Sequence, residues 1–137
     1  LKRARKLVTV VDDDESVRES LPDLLRSFGF EVEAFASAET FLASKALKRT
    51  RCLILDVAMP GMTGPELQEE LARRGLRIPI VFITAHSNER VIPLALQRGA
   101  VACLMKPFSQ EAILEAIQAG LEAHEANAMH LRLERTK

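Results

Sequence analysis

Four polar signals in this chain each follow an apolar run of strand length. Asp12-Asp13-Asp14 follow Val8-Thr9-Val10-Val11, and Asp56 follows Cys52-Leu53-Ile54-Leu55. Thr84 follows Ile80-Val81-Phe82-Ile83, and Lys106 follows Val101-Ala102-Cys103-Leu104-Met105. Strand-end loops are polar by default, so one such residue means little. Four with complementary chemistry (carboxylates, a second carboxylate, a hydroxyl, an ammonium) mean more, because ligands of an open parallel sheet collect outside the carboxyl ends of its strands. After Asp56, Met59-Pro60-Gly61-Met62-Thr63-Gly64 breaks any regular structure, which puts the carboxylate at the mouth of a loop. Asp12, Asp13 and Asp56 brought together repel one another, which raises their pKa values unless a cation is present. A hard, oxygen-seeking divalent ion, Mg2+ or Mn2+, relieves this and leaves room for phosphate oxygens. A solvated acidic turn is the alternative, but it leaves the distant Asp56 unexplained.

The elements that must hold these groups alternate in type. Leu7–Val11 reads as a strand buried on both faces, and Ser16–Phe28 as a helix with Val17, Leu21, Leu24, Leu25 and Phe28 on one stripe. Pro22 falls inside that stripe and predicts a kink or an irregular turn. Gly29 ends the helix, and Glu31–Phe35 alternates as a half-exposed strand. Ser37 predicts an N-cap for a helix from Ala38 to about Lys48, packed through Phe41, Leu42 and Leu47. Leu53–Asp56 is the third strand. Thr63-Gly64-Pro65 opens a helix with Pro65 at its first position, Leu67 and Leu71 facing the sheet, and its end by Gly75. Ile78–Ile83 is the most apolar strand. Asn88–Arg98 is weakly helical and contains Pro93, so a short or bent helix is expected there. Val101–Met105 is the last strand, and Ser109 caps a final helix. Such alternation calls for a parallel α/β sheet with helices on both faces.

The final helix carries Leu114, Ile117, Leu121, His124, Ala128 and Leu131 at 3-4-3-4-3 spacing, the pattern of a coiled-coil seam. Either a C2 dimer through this helix or a frayed surface helix satisfies it. The expected organisation is a tail over 1–6, one domain over 7–122 and a helical extension or linker over 123–137.

With 137 residues the chain suits one domain with a sizeable core. Nineteen Lys+Arg against nineteen Asp+Glu give no global pull toward nucleic acid or an anionic membrane. No apolar run reaches transmembrane length, and the one after the basic start is too short for a secretory signal, so a cytoplasmic protein is expected. The chain opens on Leu1 rather than Met, as a fragment of a longer protein would. Cys52 and Cys103 each sit in an apolar run and read as small core residues rather than as a disulfide or metal pair.

Val10-Val11-Asp12-Asp13-Asp14-Glu15, Leu55-Asp56-Val57-Ala58-Met59-Pro60-Gly61-Met62-Thr63-Gly64, Ile83-Thr84-Ala85-His86, Gly99-Ala100 and Lys106-Pro107-Phe108 together resemble the receiver domains of two-component response regulators. Within that family the chain is similar to the FixJ/LuxR type, found ahead of LuxR-type DNA-binding domains. The resemblance runs from about Leu7 to about Leu121. It implies a flavodoxin-like (CheY-like), doubly wound (βα)5 three-layer sandwich with strand order 2-1-3-4-5 and an extended C-terminal helix.

It also implies roles. Asp56 is the expected phosphoacceptor, attacking the phosphohistidine of a sensor histidine kinase to form an acyl phosphate. Asp13, Asp56 and the backbone carbonyl of Ala58 would hold Mg2+ directly, and Asp12 through water. Lys106 would neutralise charge on the carboxylate and the transferred group. Thr84 would report phosphorylation by a hydrogen bond to the new group, shifting the surface of the last two helices and the strand between them. Lys106-Pro107 is the cis-peptide candidate. The domain is then a signalling switch that catalyses its own phosphorylation and dephosphorylation rather than an enzyme acting on other substrates.

Two positions depart from the family or vary within it. Cys103 stands where the family usually has Tyr or Phe, so output is expected to lean on the Thr84–Asn88 loop and the helix weakened by Pro93. Ala58 is small and should leave the acyl phosphate open to water. His86 reads as a loop residue. A haloacid-dehalogenase-type phosphatase shares the aspartate nucleophile and the Asp-x-Asp spacing, but nothing after Lys106 supplies its late acidic pair. A flavodoxin-like cofactor binder would face a phosphate loop of repelling carboxylates. The output can be transcriptional, with DNA contacted only by a domain absent from this chain. A hybrid-kinase receiver and a free-standing regulator are the other forms.

Overall fold

The structure is a computed structural model that describes residues 5–85 and 91–135, with side chains described as far as Met129. Its elements are β1 (Leu7–Val11), α1 (Glu15–Ser27), β2 (Glu31–Phe35), α2 (Ala38–Leu42), a 3-10 turn (Lys45–Lys48), β3 (Thr50–Asp56), α3 (Gly64–Arg73), β4 (Ile80–Thr84), α4 (Val91–Gln97), β5 (Ala102–Met105) and α5 (Gln110–Arg135). The five strands are parallel in the order β2-β1-β3-β4-β5. Register fixes where they end: Val11 stands opposite Phe35 and Leu55, Asp56 opposite Ile83, and Thr84 opposite Met105. The residues that follow or terminate β1, β3, β4 and β5 therefore share one edge.

Each face of the sheet has its own core. Val8, Val10, Ile54, Val81 and Ile83 pack against Leu21 and Leu25 of α1 and Ile113, Ile117 and Leu121 of α5. Val11, Leu53, Leu55 and Phe82 pack against Phe41 of α2, Leu67 and Leu71 of α3, and Ala95 of α4. Burying side chains of this size contributes roughly 1.5–3 kcal/mol each. Cys52 is buried and Cys103 partly so; both thiols are free, and burial pushes that of Cys52 up to about 12. No described helix is long and apolar enough to cross a membrane.

Several local expectations need correction. The helix expected to reach about Lys48 stops at Leu42, because Ser44 donates both its N–H and its hydroxyl to the Phe41 carbonyl that a continuing helix would need. Ala46 and Leu47 are still buried, but from a 3-10 turn. α1 runs past the buried Pro22 as one continuous helix, without an irregular turn. Gly64 rather than Pro65 is the first residue of α3, whose end is closed by a full capping box between Thr63 and Glu66. β3 starts three residues before the expected Leu53, at Thr50, which pairs with Leu7. Asn88 lies outside the described residues, and the helix expected from it is described over Val91–Gln97.

The seam on α5 has a different use from the one its spacing suggests. Ile117 and Leu121 are buried in the monomer core and Leu114 packs against it, so these three are committed to this chain's own sheet. Apolar spacing of three and four serves a helix on a sheet as well as a helix on a helix. His124 and Ala128 further along are half-buried, and the side chain of Leu131 lies outside those described.

Candidate functional site

Each expected residue is positioned by a strand end. Asp12 directly follows β1, its N–H donating to the Phe35 carbonyl at 3.1 Å, and is fully buried. Its carboxylate accepts from the Asp14 N–H at 2.9 Å through one oxygen and from Lys106 Nζ at 2.7 Å through the other. Asp14 serves as the N-cap of α1, accepting from the Ser16 N–H, which leaves Asp12 and Asp13 of the three to join Asp56 in the carboxylate cluster. Asp13 is exposed beside them. Asp56 closes β3 at 6% exposure. One oxygen from each of Asp12, Asp13 and Asp56 lies within 4.8 Å of the others.

A cleft of about 380 Å3 opens over this cluster, lined by Asp13, Asp14, Asp56, Ala58, Thr84 and Lys106 among others. Thr84 is buried at the end of β4, and its carbonyl accepts from the Lys106 N–H at 2.7 Å, which ties the fourth and fifth strand ends together. The Lys106–Pro107 peptide is cis. Lys106 is expected to neutralise Asp56, yet its Nζ bonds Asp12 and stands 3.9 Å from Asp56. His86 and the rest of the loop after Ala85, up to Arg90, lie outside the described residues.

The electrostatics follow from this crowding. Burial and then the neighbouring Asp12 charge and hydrogen bond push the Asp56 carboxyl up to about 7, against the partial relief given by Lys106. For Lys106, burial disfavours the ammonium, but its hydrogen bond to Asp12 and the charges of Asp12, Asp56 and Asp14 outweigh that and hold it above the usual lysine value. Three carboxylates around one ammonium leave an excess of negative charge in a hard-oxygen setting. That donor set fits Mg2+ or Mn2+ and would suit neither a thiol-seeking nor an imidazole-seeking metal.

Three supporting residues do not announce themselves in the sequence. Gly64 lies so close to the end of β3 that a Cβ there would run into the Asp56 carbonyl, with Phe82 and the Val57 Cα behind it. Its N–H donates to the Val57 carbonyl at 3.1 Å, closing the loop that follows Asp56. Arg18 of α1 donates to the Asp12 carbonyl at 2.9 Å. Glu39 of α2 accepts from the Met62 N–H at 3.2 Å. The glycine directly after the Thr63 cap was the available signal for the first; nothing in composition or spacing marks the other two.

Comparison with known proteins gives a consistent result. Residues 8–118 match the response regulator receiver domain. Nodulation protein W of Bradyrhizobium diazoefficiens is 46% identical over 118 residues, which cover 86% of this chain and 52% of that protein. The transcriptional regulatory protein FixJ of Azorhizobium caulinodans is 40% identical over 114 residues, covering 83% of this chain and 54% of that one. The solved structure of the response regulator StyR superposes with a TM-score of 0.89 at 47% identity, over 97% of this chain and 67% of that one. The chain spans about half the length of the curated relatives it matches.

Proposed function

This chain belongs to the response regulator receiver domain family, and from that premise we propose that Asp56 is the residue that takes the phosphoryl group in two-component signalling. The observation that carries the assignment is the convergence of Asp12, Asp13, Asp56, Thr84 and Lys106 on one cleft from four different strand ends.

An Asp56 oxygen attacks the phosphorus of a phosphohistidine on a sensor histidine kinase. The P–N bond breaks, the histidine nitrogen leaves with its electron pair, and an acyl phosphate remains. Asp56 must be ionised to attack, and its raised pKa works against this at neutral pH. Asp13, Asp56 and the Ala58 carbonyl would hold Mg2+, with Asp12 reached through water. When bound, the cation supplies positive charge that favours the ionised carboxylate and offsets the phosphoryl oxygens. Lys106, already between Asp12 and Asp56, is within reach of the same oxygens. Thr84 lines the same cleft, where its hydroxyl would bond one of them, and its strand is bonded to Lys106 through the backbone. A new hydrogen bond there biases the surface formed by α4, β5 and α5. Exposed Ala58 leaves the acyl phosphate open to water, which favours a short-lived signal. The reaction is thus the domain's own modification and its reversal.

Transcriptional output is supported by the likeness to FixJ, a transcriptional regulatory protein, with DNA contacted outside this chain. A cytoplasmic setting suits exchange with a kinase. A homodimer through the C-terminal helix would have to use α5 beyond Leu121, since Ile117 and Leu121 serve the monomer.

The test is intact mass after incubation with Mg2+ and acetyl phosphate. One phosphoryl group is expected on the parent and none on Asp56→Asn. Equal addition to both would displace Asp56 from its role, and none on the parent would remove the reading.

A further inference from the structure

The loop between β3 and α3 carries Ala58, and the chain holds most of this loop locally. Val57 and Gly64 close its base, Met59 is buried in the core under α2 and α3, and the Thr63 N–H donates to Glu66 at 2.9 Å. Among the described residues the turn between them, Pro60-Gly61-Met62, makes no backbone–backbone hydrogen bond, although the Met62 side chain packs against the same core. Among the described residues one side chain from another element bonds it: Glu39 Oε2, which accepts from the Met62 N–H at 3.2 Å. Gly61 is in the left-handed region at φ 73°, and a Cβ at that position would stand 2.6 Å from the same Oε2. The bond and the missing Cβ describe one seat: the turn is shaped to receive a carboxylate from α2.

We infer that Glu39 is a positioning residue for phosphoryl transfer, fixing the Gly61–Met62 turn and through it the Ala58 carbonyl at the mouth of the cleft. This role rests on the proposed use of that carbonyl as a ligand of the cation. Glu39 itself touches neither the phosphoryl group nor the cation. Its alternative role would be to stabilise α2 as an acidic residue in the first turn, where charge alone matters and no bond to the loop is required. A glutamine separates the two, because its amide oxygen still accepts from the Met62 N–H while the charge is gone.

The experiment is a calorimetric Mg2+ titration of the parent, Glu39→Ala and Glu39→Gln, with hydrogen exchange of the Met62 amide on the same samples. Glu39→Ala is expected to weaken Mg2+ about tenfold, the low end for residues that orient metal ligands from outside, and to speed exchange at Met62. Glu39→Gln is expected to stay within about threefold of the parent, a neutral hydrogen bond being weaker than a charged one. Equal affinity in all three proteins would overturn the inference. Equal weakening in both variants would overturn it as well, because charge rather than the bond would then be responsible. Those two outcomes leave the carboxylate site standing; a parent that binds no Mg2+ would bring down that site and this inference together.

Discussion

The two edges of the one sheet both carry polar groups and treat them in opposite ways. At the carboxyl edge Asp12, Asp56 and Thr84 are buried, the carboxylates outnumber the one ammonium, and Asp56 is driven to a pKa of about 7. At the amino edge the charges are exposed and neutralised: Lys6 pairs with Glu125, Arg49 with Glu31 and Glu33, and Arg98 with Glu69. Even the buried hydroxyls there are satisfied, Thr9 and Thr50 meeting at 2.7 Å and Thr50 donating onward to the Ala46 carbonyl. A cleft of about 410 Å3 opens near that edge between α3, β4 and α5, so cavity size does not separate the two ends. What separates them is electrostatic balance. An edge whose charges are paired and wet is finished as a surface, whereas one that buries surplus like charge is stable only because the rest of the fold forces the groups together.

That contrast can be broken most directly at Lys106. Lys106→Met leaves the fully buried Asp12 without its charged partner, and a loss of about 3 kcal/mol is expected in urea unfolding at pH 7, typical of one member removed from a buried pair. A change too small to measure would mean that the Lys106–Asp12 contact does not support the fold. The pH dependence sharpens the comparison next. Asp56 keeps its proton to about pH 7 in the fold but only to about 3.8 in the unfolded chain. The folded state binds the extra proton between those values, so stability of the cation-free protein should fall as pH rises through that window and level off above it. Asp56→Asn should flatten this slope and raise the melting temperature at pH 8, by about 3–4 °C for each kcal/mol relieved in a chain of 137 residues. The same slope in both proteins would assign the titration to another group. The smallest effect belongs to the other edge: Arg49→Ala should leave the melting temperature within the scatter of the measurement, because its ion pairs are exposed. A marked drop there would show that the amino edge is not the passive rim it resembles.

Much of this was legible in the chain because the signals were local. Four apolar runs ending in polar residues marked four strands and their shared edge, the alternation of Glu31–Phe35 marked the fifth, Ser37 and Ser109 marked caps that the structure contains, and Gly29 marked the end of α1. The failures were also local in appearance but not in cause. The break after Leu42 depends on how Ser44 bonds Phe41, and the fate of the 3-4 pattern on α5 depends on which apolar surface is nearest. In the site, Asp12, Asp13, Asp56, Thr84 and Lys106 were readable by type, whereas Gly64, Arg18 and Glu39 act on backbone groups and leave no mark in hydrophobic period or charge.

The sequence by itself determined the alternation of strand and helix, the identity of the carboxylates, hydroxyl and ammonium, and the edge at which they would meet, because period and residue type are properties of short stretches of chain. Only the tertiary structure decided that Lys106 bonds Asp12 before Asp56, that α5 spends Ile117 and Leu121 on its own sheet, and that Glu39 sits on the turn after β3. These depend on distances between residues far apart in the chain, which packing and register set and no local pattern encodes.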